Sequence, residues 1–150
     1  MGGSFRIVGH TADVALSLTA STEGELLHAL SRGLVRLIAG PGFSKVPASK
    51  GWTGFAQARV PAETLEELLV RWANETICAF DTDGFLWVPR EIPEVTGSDR
   101  SGWVAHGWLA LYNAREQGLV QAHDLKAATW HGLSVTRRNG ILRARLVLDT

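Results

Sequence analysis

The segment that most constrains the fold is the last one. Across residues 141–148, Leu142, Ala144, Leu146 and Leu148 alternate with Arg143 and Arg145, a period of two that gives an extended chain one apolar and one charged face. Such a strand must be paired along its edges and covered on one side only. Its partner precedes it: Arg137-Arg138-Asn139-Gly140 carries the Asn-Gly step of a tight hairpin, flanked upstream by the strand-like residues 133–136.

Two amphipathic helices supply the cover. Thr22 with Glu25 three residues on forms a capping-box pattern, and Leu26, Leu27, Leu30, Leu34, Leu37 and Ile38 follow at helical spacing until Gly40-Pro41-Gly42 stops the run. A second helix is read with Pro61 at its head. Leu65, Leu68, Leu69, Trp72, Ile77 and Phe80 form its apolar stripe, and Glu63, Glu66, Glu67 and Arg71 its wet face, up to the turn Asp81-Thr82-Asp83-Gly84. Strands are predicted over 5–8, 14–19, 55–60, 85–88, 91–95, 103–111 and 125–130, with loops over 43–54 and 96–102 and a polar stretch reaching His123. Seven or eight mostly antiparallel strands and two main helices predict an α+β class, a two-layer sandwich with the helices packed on the sheet. No repeat or linker divides the chain, so one domain over residues 1–150 is expected.

Composition narrows the function. Hydrophobic residues are 45% and charged residues 20% of the 150, the usage of a globular domain. No apolar run approaches the roughly 18 residues that span a bilayer, and the start Met1-Gly2-Gly3-Ser4-Phe5 lacks the basic and apolar regions of a secretory signal; a cytoplasmic protein with no membrane partner is the expectation. Cys78 is the sole cysteine, which excludes an internal disulfide and a thiolate zinc cage. Fifteen basic and fifteen acidic residues cancel, removing the overall positive field that drives nonspecific nucleic-acid binding. There is no G-x-S-x-G elbow, phosphate-binding loop, G-x-G-x-x-G or H-E-x-x-H.

Four segments, from near the first residue to the last, resemble the archease family. They are His10-Thr11-Ala12-Asp13-Val14, similar to its HTAD signature; residues 68–75 continued by residues 80–86, similar to its second helix and FDT-acidic-Gly turn; Leu125-Lys126-Ala127-Ala128-Thr129-Trp130-His131, similar to its K-A-x-T-aromatic-H strand; and Leu146-Val147-Leu148-Asp149-Thr150, similar to its final strand ending in Asp plus one residue. Departures are Ala15 for the usual Gly, Trp130 for Tyr, Thr150 for the common Ile, and a poor match over 96–123.

The resemblance implies a divalent cation, described for the family as calcium, held by Asp13, Asp149 and Thr150. It implies an accessory role: a chaperone-like activator of the GTP-dependent tRNA-splicing RNA ligase, not itself an enzyme, that meets RNA only indirectly. Oxygen donors suit such a cation, and Ca²⁺ takes about 6–8 of them, so water or a partner must complete the shell. From the residues alone, Asp13 also reads as a turn former, Asp149 as a solvated carboxylate and Thr150 as a frayed end. His10 and His131 read as hydrogen-bonded structural histidines or as ligands, and Lys126, mid-strand, as a lysine needing a solvent path or an acidic partner; the resemblance implies that Lys126 contacts the ligase. Two other readings stay open. One is a stand-alone metal-dependent phosphoester hydrolase using His10, Asp13 and His131. The other is a small RNA-binding module stacking bases on tryptophan, with Trp52 the best candidate among the six for exposure and most of the rest in the core. Asp81 and Asp83 are explained by the turn better than by acid–base work.

Overall fold

The computed structural model describes residues 2–9, 13–45 and 50–150. In chain order it runs β1 (Ser4–Gly9), β2 (Asp13–Ala20), α1 (Glu23–Ala39), a 3-10 turn (Pro41–Lys45), β3 (Trp52–Ala62), α2 (Leu65–Cys78), a π-helical turn (Ala79–Asp83), β4 (Phe85–Pro89), β5 (Glu94–Ser98), β6 (Gly102–Asn113), β7 (Ala127–Arg138) and β8 (Ile141–Asp149). One antiparallel sheet has the order β1-β2-β8-β7; the other has β3-β6-β4, with β5 also pairing β6. The class is the α+β expected. Both helices touch both sheets: α1 packs on β1 and β2 and on β4 and β5, α2 on β7 and on β3 and β6. The helices thus lie between the sheets, and each sheet buries one face against them.

Both helices start with the same device. Thr22 Oγ1 accepts from Glu25 N at 3.1 Å while Ser21 N donates to Glu25 Oε1 at 3.2 Å; Thr64 Oγ1 accepts from Glu67 N at 3.1 Å while Glu63 N donates to Glu67 Oε1 at 2.7 Å. One orphan first-turn donor and the amide just ahead of the cap are satisfied at each entry. Pro61 is therefore not at the head of α2. It lies exposed in β3, a strand paired only with β6, where an edge position tolerates the missing N–H. β3 begins at Trp52, inside the predicted loop, and β5 begins at Glu94, three residues later than predicted.

The leucine stripe of α1 and the inward residues Leu16, Leu18, Leu146 and Leu148 form one core with Leu68, Leu69 and Trp72 of α2. Trp72 is buried and its indole N–H donates to Ser31 Oγ at 2.8 Å, which fixes α2 against α1. The tryptophan expectation is corrected: Trp52 packs edge-on against Phe43 and Tyr112, with centroids 6.1 and 5.2 Å away, whereas Trp108 and Trp130 are the exposed ones at 47% and 57%. Trp108 sits on the solvent face of β6 opposite Gln57, and Trp130 lies where β7 leaves its register. That irregularity is why the predicted strands 125–130 and 133–136 are one strand: pairing skips from Thr129↔Val147 to Ser134↔Arg145 and residues 130–133 bulge out.

Candidate metal centre

β8 lies between β2 and β7, so the end of the chain is held from both sides. Asp149, its last residue, is the register partner of Asp13, the first residue of β2, and of Ala127, the first of β7. Lys126 N donates to the Asp149 carbonyl at 2.8 Å. Directly opposed residues of an antiparallel pair project to the same face, so the two carboxylates share one face of the sheet, at the ends of its two central strands. It is the side away from the helices: Asp149 follows the parity of Arg143 and Arg145, while Leu142, Ala144, Leu146 and Leu148 point into the core; the neighbouring pair Ala15↔Val147 on this side is buried. Asp149 and Thr150 are exposed and Asp13 half-buried.

The β7 start is set from the helix layer. Asn74 of α2 accepts from Ala128 N through Oδ1 at 2.8 Å, so the helix carrying Trp72 also positions the strand beside Asp149. Asn74 lies in the segment 68–75 and carried no local signal of this role, since Glu67 and Arg71 share its side of α2. Asp124 was missed as well. Its Oδ2 takes Lys126 Nζ at 3.0 Å, and both are exposed; Lys126 is not mid-strand, since β7 begins at Ala127, and the lysine's ammonium reaches solvent directly.

The bulge reaches toward the same face. Gly132, at φ +67°, comes so close that a Cβ there would lie 3.4 Å from Arg145 Nη1 and 3.6 Å from Val147 Cγ2. It folds over this side of β8 two residues before Asp149, carrying exposed Trp130 and His131. His10 lies outside the described residues.

Like charges directly opposite one another destabilise a sheet pair. The ion pairs among the described residues are Arg71–Glu67, Lys126–Asp124 and Arg137–Glu23; none involves Asp13 or Asp149. No three His, Cys, Asp or Glu side chains among the described residues converge in metal-holding geometry. Asp13, Asp149 and Thr150 offer oxygen donors, which fit a hard divalent cation, but as an open half-site whose remaining positions need water or another molecule.

Comparison with known proteins places the chain in a family. The family model described as "Archease protein family (MTH1598/TM1083)" matches residues 5–150. "Protein archease" of Methanopyrus kandleri is 28% identical over 145 residues, covering 95% of this chain and 96% of the relative. The solution structure of Methanobacterium thermoautotrophicum protein 1598 superposes with a TM-score of 0.77 at 19% identity, covering 98% of this chain and 99% of that one. The crystal structure of a Thermotoga maritima archease, described as a possible chaperone, gives 0.58 at 17% identity, covering 97% and 96%. At those identities the structures speak for the fold, and the family model for membership: the chain belongs to the archease family.

Proposed function

We propose that this protein is a non-catalytic activator of the GTP-dependent tRNA-splicing RNA ligase, and that Asp13, Asp149 and the terminal Thr150 hold a divalent cation, calcium by resemblance, at the surface that meets the ligase. The observation that carries this reading is the Asp13↔Asp149 pairing: two like charges from opposite ends of the sequence share one face of the sheet at the ends of its two central strands, an arrangement a cation would relieve. A bound cation supplies positive charge for stabilising anionic oxygens. The chain's own part is to present it: Asn74 and the Lys126 amide fix the strand ends, and the open half-site leaves coordination positions for a partner. The ligase would gain faster guanylylation of its own histidine and repeated turnover in tRNA splicing or RNA repair. Lys126, His131 and His10 are the companion contacts. In a ligation assay with the cognate ligase, Asp13→Ala and Asp149→Ala should remain folded and lose stimulation; full stimulation by both removes the carboxylates from the mechanism.

A second reading, direct contact with RNA, is favoured by one feature. Register aligns Arg6, Ser17, Arg145 and Ser134 in one row across the first sheet and Ser4, Thr19, Arg143 and Thr136 in the next, a solvent face with cations and hydroxyls beside exposed Trp130. The zero net charge conceals this local concentration. Affinity for single-stranded RNA that falls steeply with salt would support it, and no measurable affinity at low salt would dismiss it.

A further inference from the structure

A cleft of about 360 Å³ opens between the C-terminal half of α1, the 3-10 turn, the head of β3 and the end of β4. It shares no residue with the Asp13–Asp149 pair. Its volume lies at the small end of the roughly 300–1,000 Å³ of ligand pockets, room for one compact molecule.

The polar side chains that line it are all donors. Arg32, Arg36 and Arg90 line it, and neither Asp nor Glu does. The indole Nε1 of Trp52 and the Nε of Arg32 are buried with no hydrogen-bond acceptor among the described residues. A buried donor left without a partner is costly, so native proteins rarely keep one without a reason. Both donors belong to residues of this cleft's walls, set back from its surface, and two exposed guanidiniums, Arg36 and Arg90, line it as well. The complement of such a set is an acceptor that donates nothing, an oxyanion.

The remaining walls are apolar and fixed. Phe5, Phe43 and Val88 line the cleft. Trp52 is held in an aromatic cluster with Phe43 and Tyr112, whose own ring centroids are 5.0 Å apart, and Arg90 Cζ lies 4.9 Å from the Trp52 ring centroid. Arg32 Cζ lies 5.6 Å from the Phe5 centroid, and another of its nitrogens donates to the Gly3 carbonyl. Guanidiniums seated on rings are ordered before any ligand arrives.

We propose that this cleft binds a small organic anion, a phosphomonoester or carboxylate on a flat apolar body, with the charged head on the exposed Arg36 and Arg90 guanidiniums, the buried donors of Arg32 and Trp52 behind the wall adding positive potential, and the body against Phe43 and Phe5. The test is an NMR titration of the ¹⁵N-labelled full chain, following the Trp52 indole N–H, assigned by loss of its peak in Trp52→Phe. Phenyl phosphate and benzoate are the probes; inorganic phosphate and benzyl alcohol separate head from body. Saturable movement of the Trp52 peak is expected with phenyl phosphate or benzoate, the tighter of the two naming the head. Inorganic phosphate should bind at least tenfold more weakly and benzyl alcohol should not saturate. Arg36→Gln and Arg90→Gln, both at exposed positions, should each weaken the better probe about tenfold with unchanged circular dichroism. The proposal is overturned if neither anion moves the Trp52 peak saturably, or if the folded double variant binds as tightly as the wild type.

Discussion

Replacing Asp149 by Asn should change stability in opposite directions with and without calcium. Opposed residues of an antiparallel pair have Cα atoms about 4.5–5.5 Å apart, and Asp13 and Asp149 have equal side chains on one face. At ~5 Å in water two unit charges repel by about 0.8 kcal/mol. Screening at 0.15 M salt, where the Debye length is about 8 Å, halves this to about 0.4 kcal/mol. For a chain of this size, a shift of ~2–4 °C per kcal/mol means that Asp149→Asn should melt about 1 °C higher than the wild type in chelator. With calcium at a hundred times its dissociation constant, binding to the folded form adds about 2.7 kcal/mol to the wild type, some 5–11 °C by the same conversion. A variant that binds tenfold more weakly keeps only about half of that gain, so the order of melting temperatures inverts. The assay is a thermal melt followed by circular dichroism in chelator and in calcium at matched ionic strength, with Glu91→Gln, at an exposed position, as the control for general charge effects. Equal calcium gains in wild type and Asp149→Asn, or none in either, would refute the reasoning.

His28 is buried, and burial followed by the charge of Arg32 holds its imidazole pKa below the ordinary 6.5. The unfolded chain then takes up a proton first as pH falls, so this contribution to stability is intact above about pH 6.5 and declines below it by at most about 1.4 kcal/mol per pH unit; urea melts between pH 7.5 and 5 should show a slope that His28→Gln reduces. Ser31→Ala strands the Trp72 indole N–H in the core and should cost about 1–3 kcal/mol, and in the same urea assay Ser31→Ala with Trp72→Phe should lose less than the sum of the two single changes.

Both helices and the strands around the chain ends were legible because their signals are local. A Thr followed three residues later by Glu closes its own hydrogen bonds, and Leu142 to Leu148 alternate whatever the rest of the chain does. Pro61 was ambiguous for a physical reason: a fixed φ and a missing N–H suit both the first turn of a helix and an edge strand, and edge status is a property of the whole sheet. The bulge at residues 130–133 reads as a break between two strands, since only the partner β8 reveals that pairing resumes at Ser134. Trp52 looked exposed within a run of small residues. Its neighbours Phe43 and Tyr112 arrive from elements nine and sixty residues away in sequence.

The candidate centre depends on pairings of the same long-range kind. Nothing local in Asp13 or Asp149 distinguishes a ligand from a turn former or a solvated end; the resemblance chose them, and the β2–β8 register sets them side by side. That register is fixed by burial: a slip of one residue would turn Leu142, Ala144, Leu146 and Leu148 to solvent and carry Arg143 and Arg145 into the helix layer. The same slip would move Asp149 to the other face and separate it from Asp13. The tight turn at Asn139 and Gly140, both with positive φ at 53° and 76°, starts β8 opposite Arg138, and the bulge absorbs the extra β7 residues before Thr129 meets Val147. The alternation that constrains the fold most is therefore also what aims the final carboxylate.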